Sequence, residues 1–494
     1  MSLFSFFVSK ESKTRTLVEK LRKQWGPKKF RKSTPTKVID AIAEMANLRS
    51  RAPRVAEFSD FFLAATSYVS SGEQDANFKL SNFASELSDL LLARRSRSDP
   101  NVTAEDVSIS VTAIINRLKK DEVPEFLHLV LDVFALLLEY RRQKYSYTRV
   151  TDTICKLCGV SDVHTIDGTY IEVRKSDKYE CRAGNNKAGI AIHGVTSLKH
   201  GSLVGLEVTQ GACNERLYIP TQHLSNTLLL ADRGYPSYEI MYEAWERGED
   251  HNLKFLFRVV PDFKAEVLKA VNADGKEIQL ATFKAKKDNS DVDISDKANH
   301  VLDVTLKFSP KKKGNKDMIL RGVRIYRPHD NSWSYFITNI SADQLVAASC
   351  GYVYKLRWVC EQLYKCAKSY TSLVRGINST YLNVVLFFIV ASICTMILRT
   401  IMAAYMRLPN GKYLSMLKVH QRLRHLIYLF ASIAMADSLL SFFRLLRVYA
   451  RSKERQCILS QPSTRDQRRA AVFSEVFKRI CRLQHLEASS VCNG

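Results

Sequence analysis

Acidic residues are scarce relative to basic ones: 50 Asp and Glu face 74 Lys and Arg, a formal net charge of +24 over 494 residues. An excess of that size points to an anionic polymer or surface as partner, held through phosphate contacts and counterion release. The charge is clustered, which disfavours a merely soluble basic protein. Residues 1–54 carry 14 Lys and Arg against 4 Asp and Glu. A secretory signal is also missing, because the start, Met-Ser-Leu-Phe-Ser-Phe-Phe-Val, has neither a basic n-region nor a cleavage site. The 11 cysteines are scattered, several inside apolar runs, and read as reduced thiols of a cytoplasmic protein. Cys155-x2-Cys158 followed by His164 lacks the second pair of a structural zinc site, so packing is the preferred reading there. No His/Cys cluster and no Ser-His-Asp motif competes for catalysis. Long charge-free runs are few. Residues 382–398 make 17, and 426–443 is interrupted by Asp437. The first barely reaches spanning length and the second holds a carboxylate at its middle. Both are expected in a buried C-terminal bundle rather than a membrane.

What the chain does have is the stretch 354–368. On a helix, Tyr354, Arg357, Glu361, Lys365 and Lys368 fall within a stripe of roughly 80°, with Trp358 on its edge. A solvated helix face can look the same. Two other carboxylates weigh against that reading. Asp167 lies in the β-like run 164–173 and Asp232 ends the apolar run 227–231. One carboxylate on a strand, a second at a strand end and a third on a later helix suit a two-metal phosphodiester site.

Around these motifs the texture changes twice. Residues 1–32 are basic, with Val18, Leu21 and Trp25 at helical spacing, and read as a DNA-gripping arm or helix, with a solvated amphipathic helix as the alternative. From Ser33-Thr34-Pro35 to about 145 the pattern is helical, with stripes through Val38, Ile39 and Ile42, through Phe83, Leu87 and Leu91, and through Phe126, Val130 and Phe134. Short β-rich runs follow at 164–173, 189–197, 203–209, 227–231 and 255–260, with a helix at 238–247. Further runs at 277–283, 301–308, 318–326 and 334–340 read as a β-rich insertion over 262–335. The lysine turn 311–316 inside it is a candidate DNA-backbone contact or a solvated hairpin tip.

Asp167-Gly-Thr, Asp232-x-Gly-Tyr235 and Tyr354-x2-Arg357-x3-Glu361-x6-Lys368 resemble the catalytic signatures of the insertion-sequence-four family of bacterial DDE transposases. The resemblance covers roughly 160–400. It implies an α/β chain with a ribonuclease-H-like core over 160–375 carrying the 262–335 insertion. A helical, basic, DNA-binding N-terminal domain (1–150) and a helical C-terminal region (376–494) that serves dimerisation would flank it. Asp167, Asp232 and Glu361 would be both catalytic residues and metal ligands for two Mg²⁺, with Mn²⁺ as substitute. Tyr354, Arg357 and Lys368 would hold the DNA backbone, with Lys365 adding a phosphate contact. Trp333 and Trp358 stand where relatives use aromatics to stack on or replace a flipped base; a buried core ring is the alternative, more so for Trp358 than for Trp333. The implied partners are double-stranded DNA, both the terminal inverted repeats and the target, and a second subunit in the synaptic complex. The implied location is the bacterial cytoplasm, at the nucleoid. Cys360 and Tyr364 depart from the usual aliphatic and Phe of the family and are expected to leave catalysis unaffected. Three alternatives remain open: a ribonuclease-H-like endonuclease that cuts without joining, a DNA-binding protein that has lost catalysis, and a membrane protein built on 382–443.

Overall fold

The computed structural model describes residues 2–7, 23, 35–48, 55–71, 79–139, 147–173, 188–286, 289–310, 316–371, 379–409, 412–424 and 438–458. Most of the expected basic arm, the lysines at 311–313, Asp437 and the tail beyond 458 lie outside these residues.

One sheet organises the molecule, with strand order β1-β4-β3-β2-β5-β6-β10-β9-β8-β7. Its centre is β2 (Asp162–Glu172), β3 (Gly189–Ser197), β4 (Ser202–Gln210), β5 (Thr227–Ala231) and β6 (Leu253–Arg258). The first three form an antiparallel meander, while β5 and β6 run parallel to β2. The two parallel strands are joined by a crossover helix, as parallel pairing requires. That order and direction make a ribonuclease-H-like core. β3 and β5 are buried along their whole length, so neither alternates; β5 reads as a nearly continuous apolar run, while β3 buries His193, Thr196 and Ser197 among its apolar residues.

The insertion extends the same sheet instead of forming a separate lobe. β7 (Glu266–Asn272), β8 (Val301–Phe308), β9 (Met318–Arg327) and β10 (Ser332–Thr338) are antiparallel neighbours, and β10 pairs with β6. The run expected as a strand at 277–283 contributes only an isolated bridge, Val271 to Glu277. Asn272 turns the chain there, its side-chain oxygen accepting from the Asp274 and Lys276 amides, with Gly275 at φ +78°. Phe283 then leaves the ladder for the core. At the opposite edge Ser2–Phe7, expected as the start of a basic arm, forms β1 against β4.

Helices flank the sheet. The N-terminal set is α1 (Pro35–Met45), α2 (Phe58–Ser71), α3 (Leu80–Arg95), α4 (Val111–Leu118), α5 (Val123–Glu139) and α6 (Thr148–Cys158). α1 opens with Pro35, a residue whose fixed φ suits the first helical position. α7 (Tyr238–Asp250) is the β5–β6 crossover. The C-terminal set is α8 (Ala347–Tyr354), α9 (Trp358–Tyr370), α10 (Leu382–Ala403), α11 (Met416–Arg422) and α12 (Leu439–Cys457). Helices from both ends of the chain meet at α10 in one apolar cluster. Phe387 meets Phe62 edge-on at 6.0 Å, and Phe388 meets Phe83 at 5.0 Å. α10 is apolar enough to cross a membrane, yet its spanning window is wholly buried inside the protein. A helix surrounded by other helices must be apolar on every face. Its single charge, Arg399, donates to the Tyr370 carbonyl at the end of α9 and to Ser70 Oγ, so it binds the last turn of α9 into the bundle.

Candidate active site

The carboxylates converge through register. β2 and β5 pair in parallel from Asp162 opposite Thr227 to Thr165 opposite Leu230. Two residues further on, that register brings Asp232 level with Asp167 on the same face. Adjacent strands lie about 4.8 Å apart. Asp167-Gly168 makes no turn, since both residues stay in the β2–β3 ladder, whereas Asp232 leaves the end of β5. The Gly168 amide donates to Asp167 Oδ1 at 2.9 Å, and the Arg233 amide donates to Asp232 Oδ1 at 2.7 Å.

The third carboxylate arrives on α9. A continuous helix over 354–368 was expected, but the chain closes α8 at Tyr354, tightens through the 3₁₀ turn Lys355–Arg357 and restarts at Trp358. The tightening changes what each side chain reaches. Tyr354 Oη donates to Asp232 Oδ1 at 2.8 Å. Arg357 donates to Asp167 Oδ2 at 3.1 Å and also to Glu361 Oε1. The guanidinium thus bridges two of the three carboxylates. Lys365 and Lys368 lie further along α9 and are exposed.

Burial pushes the Asp167 carboxyl above its ordinary range. Arg357 and the Gly168 amide offset this only in part, and the nearby Glu361 and Asp232 charges push the same way. Burial acts on Asp232 too, but there the Tyr354 hydroxyl, the Arg233 amide, Arg357 and Arg258 prevail and hold the carboxyl below its ordinary range. Arg258, at the end of β6, is a cation near the site that sequence reasoning missed. Beneath the site Cys360 is fully buried against Thr196 Oγ1 at 3.2 Å, and burial pushes its thiol up to about 12, so it is inert packing.

Among the described residues no three His, Cys, Asp or Glu side chains already form a group able to hold a metal. The donor set still fits a hard divalent cation. All three donors are carboxylates, the ligands Mg²⁺ prefers. They are close enough for two of them to raise the pKa of the third, and a cation already sits against two of them. Glu361, whose side chain is 44% exposed, can change rotamer to exchange that guanidinium for an ion without disturbing the core.

Of the two tryptophans, Trp333 differs from the expected stacking ring. Trp333 is buried, its Nε1 donating to Asn289 Oδ1 at 2.8 Å and its ring covered by the Arg324 guanidinium 4.3 Å from the centroid. Arg324 is itself fully buried and paired with Asp291. This ring is core, with no face open to a base. Its position before a strand gave no sign of that, because the partners Asn289 and Asp291 come from a distant loop. Trp358 is partly buried against the apolar cluster.

Residues 160–397 match the family described as "Transposase DDE domain", a stretch that includes strands β2 to β10 and the three carboxylates just described. No curated protein matches. Among solved structures, the chain is similar to a piggyBac transposase in a synaptic complex with hairpin DNA. The identity is 12% and the TM-score 0.39, over 90% of this chain and 84% of that one.

Proposed function

We propose that this chain is a DNA transposase of the insertion-sequence-four type. It would cut the 3′ ends of its element and join them to target DNA, with Asp167, Asp232 and Glu361 as its metal-binding catalytic residues. The observation that carries the reading is the convergence of those three carboxylates, from β2, the end of β5 and α9, around Arg357 within a transposase DDE domain. When bound, two Mg²⁺ would supply a water nucleophile near neutral pH and neutralise the leaving 3′ oxygen. Asp167, Asp232 and Glu361 would hold the ions together, with both of the other carboxylates near Asp167.

The remaining side chains act on DNA. Arg357 turns from the carboxylates to grip a phosphate bidentately, and Lys365 and Lys368 add point charges along the exposed face of α9. The Tyr354 hydroxyl holds Asp232 and can pass to a phosphate when DNA arrives. The net charge of +24 gives such a protein its affinity for DNA backbone. Cutting two ends in one synapse requires two active sites, so a homodimer forms on the terminal repeats, in the bacterial cytoplasm at the nucleoid. Second-strand cleavage through a hairpin belongs to the same reading. Residues 1–150 serve DNA binding, and 376–494 contribute to the dimer.

The test is nicking of a DNA fragment carrying the element's own ends, in Mg²⁺ and then Ca²⁺, for wild type and Glu361→Gln. Mg²⁺-dependent 3′ nicking abolished by the substitution, with DNA binding kept, is the expected result. Binding without cutting in the wild type would sink the enzymatic reading. Nicked ends that never appear joined to target DNA would leave an endonuclease.

A further inference from the structure

On the metal-dependent reading above, one buried residue outside the signature is placed to set the distance between two of the metal-binding carboxylates. We propose that Tyr364 is a positioning residue that locks Asp167 on β2 to Glu361 on α9, through its hydroxyl and a seat that only glycine at position 194 can provide.

Tyr364 lies one helical turn after Glu361 and is buried. Its hydroxyl donates to the backbone carbonyl of Asp167 at 2.8 Å. Opposite Asp167 in the β2–β3 ladder stands Gly194, and its amide also acts on the Tyr364 oxygen. The phenol is therefore inserted at the Asp167–Gly194 pair, donating to the first strand and lying against the backbone of the second. A methyl group at 194 would fall 2.3 Å from that hydroxyl and 2.6 Å from Leu203 Cδ2. The hydroxyl fills the space a side chain would take.

The consequence is geometric. Asp167 and Glu361 belong to different elements; apart from the Cys360–Thr196 contact and Arg357 at its start, α9 is otherwise held to the sheet by apolar contacts, which resist separation better than sliding. A hydrogen bond to the backbone of the carboxylate-bearing residue fixes the slide. A Phe at this position packs the same way and loses only that restraint. Groups that orient metal ligands in this manner typically change metal affinity 10–100-fold when removed.

Mn²⁺ binding to the full chain, followed by electron paramagnetic resonance without DNA, tests the assignment apart from activity. Tyr364→Phe should weaken Mn²⁺ binding about tenfold or more. Gly194→Ala, by displacing the phenol, should weaken it at least as much. Adding Tyr364→Phe to Gly194→Ala should cost little more, because both changes act through one contact. Folding is monitored by thermal melting, and Tyr364→Phe should keep a cooperative transition. Unchanged Mn²⁺ affinity in Tyr364→Phe would overturn the positioning role while leaving the metal site intact. A wild type that binds no Mn²⁺, with Glu361→Gln indistinguishable from it, would overturn the metal reading and the lock together.

Discussion

Replacing Arg357 with Gln removes the cation that Asp167 and Glu361 share. Breaking a buried ion pair costs about 3–5 kcal/mol, and breaking an exposed one about 0–1 kcal/mol. Arg357 is 13% exposed, Asp167 23% and Glu361 44%, so the Glu361 contact counts near the surface value and the Asp167 contact lies between the limits. The loss expected at neutral pH without divalent ions is about 2 kcal/mol, visible as a lower melting temperature. The same charge deficit favours an incoming ion. Mn²⁺ or Mg²⁺ no longer has to displace a guanidinium, and regaining about 2 kcal/mol corresponds to roughly 30-fold tighter binding.

The pH dependence has a definite sign. Asp167 already sits above its ordinary 3.8 because burial outweighs Arg357, and without Arg357 it moves higher. A carboxyl raised in the native state holds a proton that the unfolded chain has released. Its contribution to stability is therefore present at low pH and lost as pH rises through the window from 3.8 to the raised value. Arg357→Gln should thus differ little from wild type at the bottom of that window and most above it. Melting followed against Mn²⁺ concentration at an acidic and a neutral pH reads both effects. An unchanged Mn²⁺ midpoint, or equal destabilisation at both pH values, would refute the bridge as an internal counter-ion.

Other outcomes follow from the same geometry. Lys365→Ala and Lys368→Ala should weaken DNA binding and each reduce the slope of log K against log salt by about one, measured by titration across salt concentrations. Trp333→Ala should cost about 3–5 kcal/mol in chemical denaturation, while the folded fraction keeps wild-type DNA affinity. A selective loss of DNA binding would show the ring to be a stacking platform after all. Phe387→Ala should cost a similar 3–5 kcal/mol, because its ring fills the meeting point of helices from both chain ends. Separate melting of the helices and the sheet in that variant would argue against one shared core.

The sequence by itself determined what depends on local pattern. Strand alternation and continuous apolar runs placed β5 and β8 to the residue, because fully or half-buried strands carry period-two or all-apolar signatures whatever they pair with. Asp167, Asp232 and Glu361 were legible because motif spacing marks them locally, although the turn that Asp-Gly suggested beside Asp167 is absent from the continuous strand β2. So was the apolar character of 382–398, though its reason, burial within a bundle drawn from both ends of the chain, was not. Tertiary structure alone decided partnerships between residues far apart in the chain. Register extended along β2 and β5 sets Asp167 beside Asp232. The 3₁₀ turn at 355–357 sends Tyr354 to Asp232 and lets Arg357 bridge two carboxylates. Asn289 and Arg324 turn Trp333 from a candidate base-stacking ring into core. Tyr364 reaches Asp167 across 197 positions of sequence. A hydrogen bond of that range leaves no periodicity behind it, since its only local trace is a hydroxyl on one residue and a missing side chain on another.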